Sequence, residues 1–379
     1  MTAVREHAGP TGAAAVEGLC QAAALSREYG ERHGTLHPQV WQALEKSVLT
    51  RAALPAHCGG LQWPVPDILQ AVRQVAAADP AAGWVAAIHA PAGAFLSRLS
   101  PDAARELAGD RPVLAGSSLP AGSTEQHGAT VRLRGRWPLV TGAPAMTLAA
   151  LAAPAAGPGQ TMATRWWLVP RQKLTVEDDW DAVGLRGSAS HTVACDTDVP
   201  LAHSISLTEQ PAIEAPLYRY PLYGLMAGCI AAVAQATADR ALAAFTTLAA
   251  TIRTRHTAGT LAEQPLAQAA FARAHGRLQA ATALLDSATA AAWSSALAGE
   301  VPAKERALVR SACCQMAEAA ADVCRELFDA AGTAAIHRAA GLEGCWRDSV
   351  TISRHALVAT RGRQLVGAHH LTATAAGDL

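Results

Sequence analysis

The sequence predicts an α+β protein, mainly α-helical, in which a small β domain lies between two helical domains. Apolar residues recur at helical spacing in the first and last parts of the chain. Between these parts, short alternating segments are separated by Gly and Pro, a pattern typical of a small β-barrel or sandwich. We therefore assign residues 1–112 to an N-terminal helical domain, 113–215 to a central β domain and 216–379 to a C-terminal four-helix bundle.

The N-terminal domain is predicted from two apolar stripes and one helix start. The stripes are formed by Trp41, Leu44, Val48 and Leu49, and by Ile68, Val72 and Val75. Pro101 and Asp102 together predict the start of a further helix, because proline fits the first helical turn.

Three segments of the central region predict strands. Thr130–Gly135 alternates between apolar and polar residues, as a half-buried strand does. Arg165–Pro170 and His191–Cys195 are rich in β-branched and aromatic residues. These segments place the β domain in the middle of the chain.

The C-terminal region predicts long bundle helices over Ala227–Ala250, Pro265–Leu297 and Lys304–Ala331, followed by a last helix from Arg347 to about Val358. The uncharged run 221–238 is long enough to be considered as a membrane span. Gly, Pro and Gln interrupt it, so we interpret it as a buried helix and predict no membrane association.

Composition excludes several classes of function. Lys+Arg and Asp+Glu are equal at 31 each, so no net charge attracts nucleic acid or an anionic membrane. The eight cysteines show neither a CxxC pair nor a Cys/His spacing typical of metal sites, so no metal is expected. No secretory signal is present at the N-terminus, and a reducing cytoplasm is the expected location.

Several short motifs follow one another along most of the chain. They are PAHCGG at 55–60, ADP at 78–80 with Trp84, GRWPLVTG at 135–142, DWDAVGLRGSAS at 179–190, VP at 199–200 and RHTAG at 255–259. In this order and spacing they resemble the acyl-CoA dehydrogenase superfamily. The resemblance implies that superfamily's fold: a helical domain, a β domain and a helical bundle.

Two features resemble one branch of the superfamily, the oxygenase components of two-component flavin-dependent monooxygenases. They are the GRW segment before the Thr-Gly turn and His355, which follows Arg347 and Asp348. The resemblance implies reduced FMN or FAD supplied by a separate NAD(P)H:flavin reductase. It also implies reaction with O2 through a C4a-hydroperoxide, oxygenation of a small aromatic or heteroatom-containing substrate, and a homotetramer.

The resemblance implies catalytic roles for three residues. His355 would be a base or would orient the hydroperoxide, since the ordinary pKa of histidine is near working pH. Thr141 would place a hydroxyl beside flavin N5, and His89 would face the substrate. The structural alternatives are a surface histidine on a helix, an ordinary strand end and a satisfied core histidine, respectively.

A second set of residues would hold the cofactor: Ser117, Ser118, Thr141, Ser188, Ser190 and Arg255. Arg255 would pair with the flavin phosphate, because a guanidinium binds two phosphate oxygens at once; Arg253 is the alternative. Arg347 and Asp348 are expected to form a structural ion pair that orients the helix of His355.

Two rival functions remain open from the sequence. An acyl-CoA dehydrogenase needs a carboxylate base where this chain has Ala356, and Glu343 is the nearest acid before His355. A non-catalytic binding protein is the second rival, because the aromatic residues that the branch commonly places near Leu139 and Leu148 are absent.

Overall fold

A computed structural model describes residues 16–155, 164–253 and 259–372. The described chain divides into two compact units. The first contains the residues up to Asp181 and Arg186–Leu222, and the second contains Ala182–Leu185 and the residues from Tyr223 onward. Helices flank two small sheets in sequence, which confirms the predicted α+β, mainly α class.

Among the residues that the structure describes, the first unit has five helices before the β domain: α1 Glu17–His33, α2 Pro38–Lys46, α3 Val65–Ala78, α4 Pro80–Ala92 and α5 Pro101–Ala108. A single helical turn, α6 Pro216–Arg219, follows the β domain. The helix predicted to begin at Pro101 does so. α4 is buried on nearly all sides and packs against α3. It is therefore a core helix, and its position is fixed by contacts around nearly its whole circumference.

In the described part of the chain, eight strands form two four-stranded sheets. The strands are β1 Leu114–Ser117, β2 Ser123–His127, β3 Thr130–Val140, β4 Leu148–Pro154, β5 Thr164–Pro170, β6 Thr175–Glu177, β7 His191–Pro200 and β8 Ser204–Ile205. One sheet has the order β1-β4-β5-β8 and the other β2-β3-β7-β6. All three predicted strand segments lie in strands of these sheets, β3, β5 and β7.

An apolar core joins residues from both sheets and includes two fully buried tryptophans, Trp137 and Trp167. The Trp137 indole Nε1–H donates to the carbonyl oxygen of Ala152 at 2.7 Å, which ties β3 of one sheet to β4 of the other. The β domain is therefore a sandwich whose core side chains come from both sheets.

The second unit is a helical bundle made of α7 Leu222–Thr251, whose first residue belongs to the first unit, with α8 Pro265–Ala298, α9 Ala303–Ala331, α10 Leu342–Ser353 and α11 Thr360–Thr372. α9 packs against α8, α10 and α11 and is the centre of this unit. Among the described residues, only α7 is long and apolar enough to cross a membrane, and 83% of its apolar window is buried inside the fold. That is the environment of a core helix.

The last predicted helix differs from the observed one. α10 begins at Leu342 and ends at Ser353, so His355 lies in the turn beyond the helix end. The backbone N–H of Leu357 donates to Nδ1 of His355 at 3.2 Å, and the carbonyl of His355 accepts from Ala359. These bonds close a turn where the sequence predicted continued helix.

Candidate active site

The start of α4 fixes two side chains of the candidate site. The carboxylate of Asp79 caps the helix by accepting from the backbone N–H groups of Ala81 and Ala82 at 3.2 and 3.3 Å, and Pro80 occupies the first turn. Because α4 starts at a defined residue and is enclosed, Trp84 and His89 are held in fixed positions along it.

Strand β3 ends in a distortion just before Thr141. The pairing of β3 with β7 shifts register between Trp137 and Val140, as at a β-bulge. Leu139, inside this bulge, has φ 62° and is 65% exposed. The hydroxyl of Ser117 donates to the carbonyl of Pro138 at 3.1 Å and so braces the bulge from β1. An exposed apolar side chain on a strained backbone is typical of a ligand contact.

Thr141 joins a chain of buried hydrogen bonds. The indole Nε1–H of Trp84 donates to Thr141 Oγ1 at 3.1 Å. Thr141 Oγ1 lies 3.0 Å from Ser190 Oγ, which lies 2.9 Å from Ser188 Oγ. The turn is also closed through the backbone, where Gly142 N–H donates to the Ser188 carbonyl at 3.0 Å. The structure thus brings Thr141, Ser188 and Ser190 together.

His89 lies against the same turn. A Cβ added to Gly142 would fall well inside the contact distance of His89 Nε2, so the imidazole packs directly on the Gly142 backbone. Neither ring nitrogen reaches full hydrogen-bond geometry with a group of the described chain. Burial lowers the pKa of His89 to about 4, against a smaller opposing contribution from the Thr141 backbone. The ring is therefore neutral at pH 7.

Ser118 and Arg255 are not placed in this cluster. The side chain of Ser118 is exposed at the end of β1, one residue beyond the buried Ser117. Arg255 lies outside the described residues. Arg253, its alternative, pairs through its backbone with Thr260 in an isolated bridge.

The surroundings of His355 in the second unit favour the neutral form of its imidazole. Burial, and then the positive charge of Arg310, lowers the pKa of His355 to about 4. Nδ1 accepts the Leu357 N–H, so the proton of the neutral ring is on Nε2. His355 therefore presents a hydrogen-bond donor at Nε2, and it is a weak base at neutral pH.

Arg347 and Asp348 anchor α10, each through its own partner. The guanidinium of Arg347 forms an ion pair with Glu343, Nε to Oε2 at 2.6 Å, and also donates to the carbonyl of Val183. The carboxylate of Asp348 accepts from the Leu185 N–H at 2.7 Å. The ion pair shown for Arg347 is with Glu343, and both side chains hold the 182–185 segment of the same unit.

Sequence reasoning missed the part played by Trp84. The tryptophan stood in a recognised motif, but nothing in the sequence links it to Thr141, which lies 57 positions later. The Asp79-Pro80 helix start was the available signal, because it fixes which face of α4 each later residue occupies. The positive φ of Leu139 could not be predicted either, because this conformation is expected of glycine and not of leucine.

Comparison with known proteins covers nearly the whole chain. Residues 228–360 match the family model for the C-terminal domain of acyl-CoA dehydrogenases. The indole-3-acetate monooxygenase of Pseudomonas putida is 27% identical over 365 residues, 95% of this chain and 93% of that protein. The flavin-dependent monooxygenase oxygenase subunit HsaA of Rhodococcus jostii is 28% identical over 335 residues, 81% of this chain and 84% of that protein.

A solved structure agrees with these relatives. XiaF from Streptomyces sp., in complex with FADH2 and glycerol, superposes with a TM-score of 0.88 at 25% identity. The match covers 96% of each chain.

Proposed function

We propose a reaction for this chain from the premise that it belongs to the acyl-CoA dehydrogenase superfamily, as an oxygenase component of the two-component flavin-dependent monooxygenases. These similarities confirm the predicted family, fold and enzyme class. The chain uses reduced flavin and O2 to oxygenate a small molecule. We infer that the substrate is aromatic or heteroaromatic, which the named substrate of the Pseudomonas putida relative supports.

The observation that carries this proposal is that both carboxylates near His355 in the sequence are engaged in other interactions. Residues 342–359 are all described and contain two acids, Glu343 and Asp348. Glu343 is paired with Arg347, and Asp348 accepts a backbone N–H of the 182–185 segment. Position 356 is alanine. This stretch therefore offers no available carboxylate to remove a proton from an acyl thioester, which disfavours the dehydrogenase alternative.

The residues of the first unit fit a flavin. Leu139 offers an exposed apolar side chain, and Thr141 offers a hydroxyl that its neighbours hold in one orientation. A flavin ring needs both an apolar surface and a polar partner at N5. When bound in reduced form, the flavin supplies the electrons that activate O2. Thr141 would bind N5, and the Ser188–Ser190 segment would support Thr141 from behind.

The structure supports one of the two roles considered for His355. A neutral imidazole with its proton on Nε2 donates a hydrogen bond, and a pKa of about 4 makes it a poor acceptor of a phenolic proton at neutral pH. We therefore assign His355 the orienting role, as a hydrogen-bond donor to an oxygen atom of the reacting groups.

Two variants separate these roles. His355→Gln keeps an N–H donor but has no basic nitrogen, whereas His355→Ala has neither. We expect the glutamine variant to retain part of the product formed per O2 consumed, and the alanine variant to convert most of the O2 into hydrogen peroxide. Equal losses in the two variants would contradict the donor role.

Several finer properties belong to the same proposal. We expect a separate NAD(P)H:flavin reductase as partner, because the relatives are components of larger systems. We expect a cytoplasmic location, which the absence of disulfides among the eight cysteines, all of them described, supports. Either FMN or FAD would serve as the reduced flavin; the complex of XiaF with FADH2 favours FAD.

A homotetramer is also expected. The outward face of α8 from 279 to 298 carries one charged residue, Asp286, and apart from Gln279 is made of small and apolar residues. Leu297 on this face is 56% exposed. A face of this composition is typical of an interface between subunits. Light scattering should give a mass of about four times 39.1 kDa.

The function is tested by supplying reduced FMN or FAD from a flavin reductase, with indole-3-acetate and simple phenols as candidate substrates. We expect O2 consumption with formation of a hydroxylated product. An acyl-CoA that bleaches a bound oxidised flavin, with no oxygenated product from any candidate, would favour the dehydrogenase. Failure to bind either flavin in either redox state would favour a binding protein.

A further inference from the structure

Trp84 occupies one of the two acceptor positions of the Thr141 hydroxyl. An indole N–H is a donor only, so the direction of the 3.1 Å bond from Trp84 Nε1 to Thr141 Oγ1 is fixed. A hydroxyl has one proton and two lone pairs. With one lone pair taken by Trp84, Thr141 has one proton and one lone pair left.

Ser190 uses one of the two hydrogen-bonding positions that Thr141 has left, its proton or its second lone pair. The 3.0 Å contact between Thr141 Oγ1 and Ser190 Oγ uses either the proton of Thr141 or its second lone pair. If Thr141 donates to Ser190, only a lone pair is left for a ligand. If Ser190 donates to Thr141, only the proton is left. Ser188, 2.9 Å from Ser190, extends the chain and allows either direction.

Whether Thr141 accepts or donates decides which redox state of a flavin it can bind at N5. Reduced flavin carries a proton on N5 and donates, whereas oxidised flavin has a bare N5 and accepts. A Thr141 that donates to Ser190 accepts from the reduced form. The same Thr141 opposes the oxidised form unless the hydroxyl chain reverses.

We propose that Trp84 is a positioning residue for the oxygenation reaction. Its indole N–H saturates one lone pair of Thr141 and fixes the rotamer of that side chain. Thr141 then meets flavin N5 with a single hydrogen-bonding position, whose donor or acceptor character is set by Ser190. This inference rests on the proposed function for the identity of the ligand, but not for the geometry of the Trp84–Thr141–Ser190 chain.

Two features show that these residues are held in place. Trp84 lies on α4, which is capped by Asp79 and buried on nearly all sides, so its indole has no room to turn away. Ala189, between the two serines, is fully buried with φ 45°. A non-glycine residue in the left-handed region persists only where its surroundings impose it.

The chain offers matched control variants. Trp167 is fully buried in the β sandwich, and its indole nitrogen has no hydrogen-bond partner in the described structure. Trp167→Phe therefore removes the same atoms as Trp84→Phe but no hydrogen bond. Ser97 is buried and donates to the carbonyl of Ala94 in its own helical segment, so Ser97→Ala is the control for Ser190→Ala.

The first measurement needs neither flavin nor turnover. In the ligand-free protein the indole N–H of Trp84, assigned by its loss in Trp84→Phe, is followed by NMR. We expect Thr141→Val to shift this signal upfield and to speed its exchange with solvent, and Thr141→Ser to leave it nearly unchanged. An unchanged Trp84 signal in Thr141→Val would overturn the proposal.

The second measurement compares binding of reduced and oxidised flavin. We expect Trp84→Phe and Ser190→Ala each to lower the preference for reduced flavin about 5-fold, the factor that corresponds to one buried hydrogen bond. Trp167→Phe and Ser97→Ala should leave the preference unchanged. Equal effects of Trp84→Phe and Trp167→Phe would overturn the proposal; if Trp84→Phe does not fold, Ser190→Ala against Ser97→Ala decides it.

A double-mutant cycle separates positioning from general packing. If Trp84 acts through the Thr141 hydroxyl, Trp84→Phe should release extra hydrogen peroxide per O2 in the native background and none in the Thr141→Val background. An undiminished effect of Trp84→Phe in Thr141→Val would assign Trp84 a packing role only. If the protein proves not to be an oxygenase, this cycle has no signal, but the NMR result still tests the hydrogen bond.

Discussion

Replacement of Gly142 by alanine tests the packing of α4 against the turn that carries Thr141. Gly142 has φ 68°, a conformation that costs an alanine roughly 1–2 kcal/mol. The added methyl group would also collide with His89 Nε2 and lie 3.1 Å from His89 Cε1 and 3.3 Å from Val85 Cγ1. His89 is 1% exposed and cannot swing away, so crowding adds about 1–3 kcal/mol.

Alanine also lowers the conformational entropy of the unfolded chain, which stabilises the folded state by about 0.4–1 kcal/mol and offsets part of this cost. The free energy of unfolding should therefore fall by about 1–4.6 kcal/mol in Gly142→Ala, with a central value of about 3 kcal/mol. Gly128 is the matched control, since it has φ 63° and open space where its Cβ would lie. Gly128→Ala should cost only about 1 kcal/mol, because it meets the backbone strain without the collision.

Urea unfolding followed by tryptophan fluorescence gives both values. In a His89→Ala background the cost of Gly142→Ala should drop towards that of Gly128→Ala, because the colliding ring is gone. The reasoning is refuted if Gly142→Ala is no more destabilising than Gly128→Ala, or if removing the imidazole leaves the cost of Gly142→Ala unchanged.

Two further predictions concern titration and the acids of α10. The folded pKa of His89, about 4, lies below the unfolded value of about 6.5, so stability is complete above pH 6.5 and is lost as pH falls towards 4. Between these limits His89 should account for about 3 kcal/mol, and His89→Leu should flatten the stability profile by that amount in urea titrations at each pH. Glu343→Gln should keep oxygenation within about 2-fold, since the carboxylate only pairs with Arg347 on a partly exposed surface. A loss of activity comparable to that of His355→Ala would show that Glu343 takes part in the chemistry.

The sequence was a good guide wherever a local rule decides the structure. α8 begins at Pro265 and ends at Ala298, one residue from the predicted end, because proline and glycine mark both of its limits. α9 ends at Ala331, the residue predicted as its end, and Gly332 follows it with φ 57°. Strand β3 was predicted from its alternation, although the bulge at Leu139 and its extension to Val140 were not.

Contacts between distant residues were beyond local rules. The sequence predicted that α10 continues through His355. In the structure the helix ends before His355, and the imidazole accepts a hydrogen bond from the Leu357 N–H that closes a turn. Arg347 pairs with Glu343, because residues four apart lie on one face of a helix whereas adjacent residues do not. The bond between Trp84 and Thr141 depends on how α4 meets the end of β3, which no spacing in the sequence encodes.

The most direct test of the central claim is to follow the oxygen atom itself. The purified chain is mixed with chemically reduced FAD or FMN, without a reductase, and with an aromatic substrate such as indole-3-acetate under ¹⁸O2. We predict one ¹⁸O atom in each hydroxylated product molecule, seen by mass spectrometry, and a smaller amount of this labelled product from Thr141→Val than from Thr141→Ser. Product whose oxygen comes from water, or flavin consumed with hydrogen peroxide as the sole product for every aromatic substrate supplied, would contradict the account.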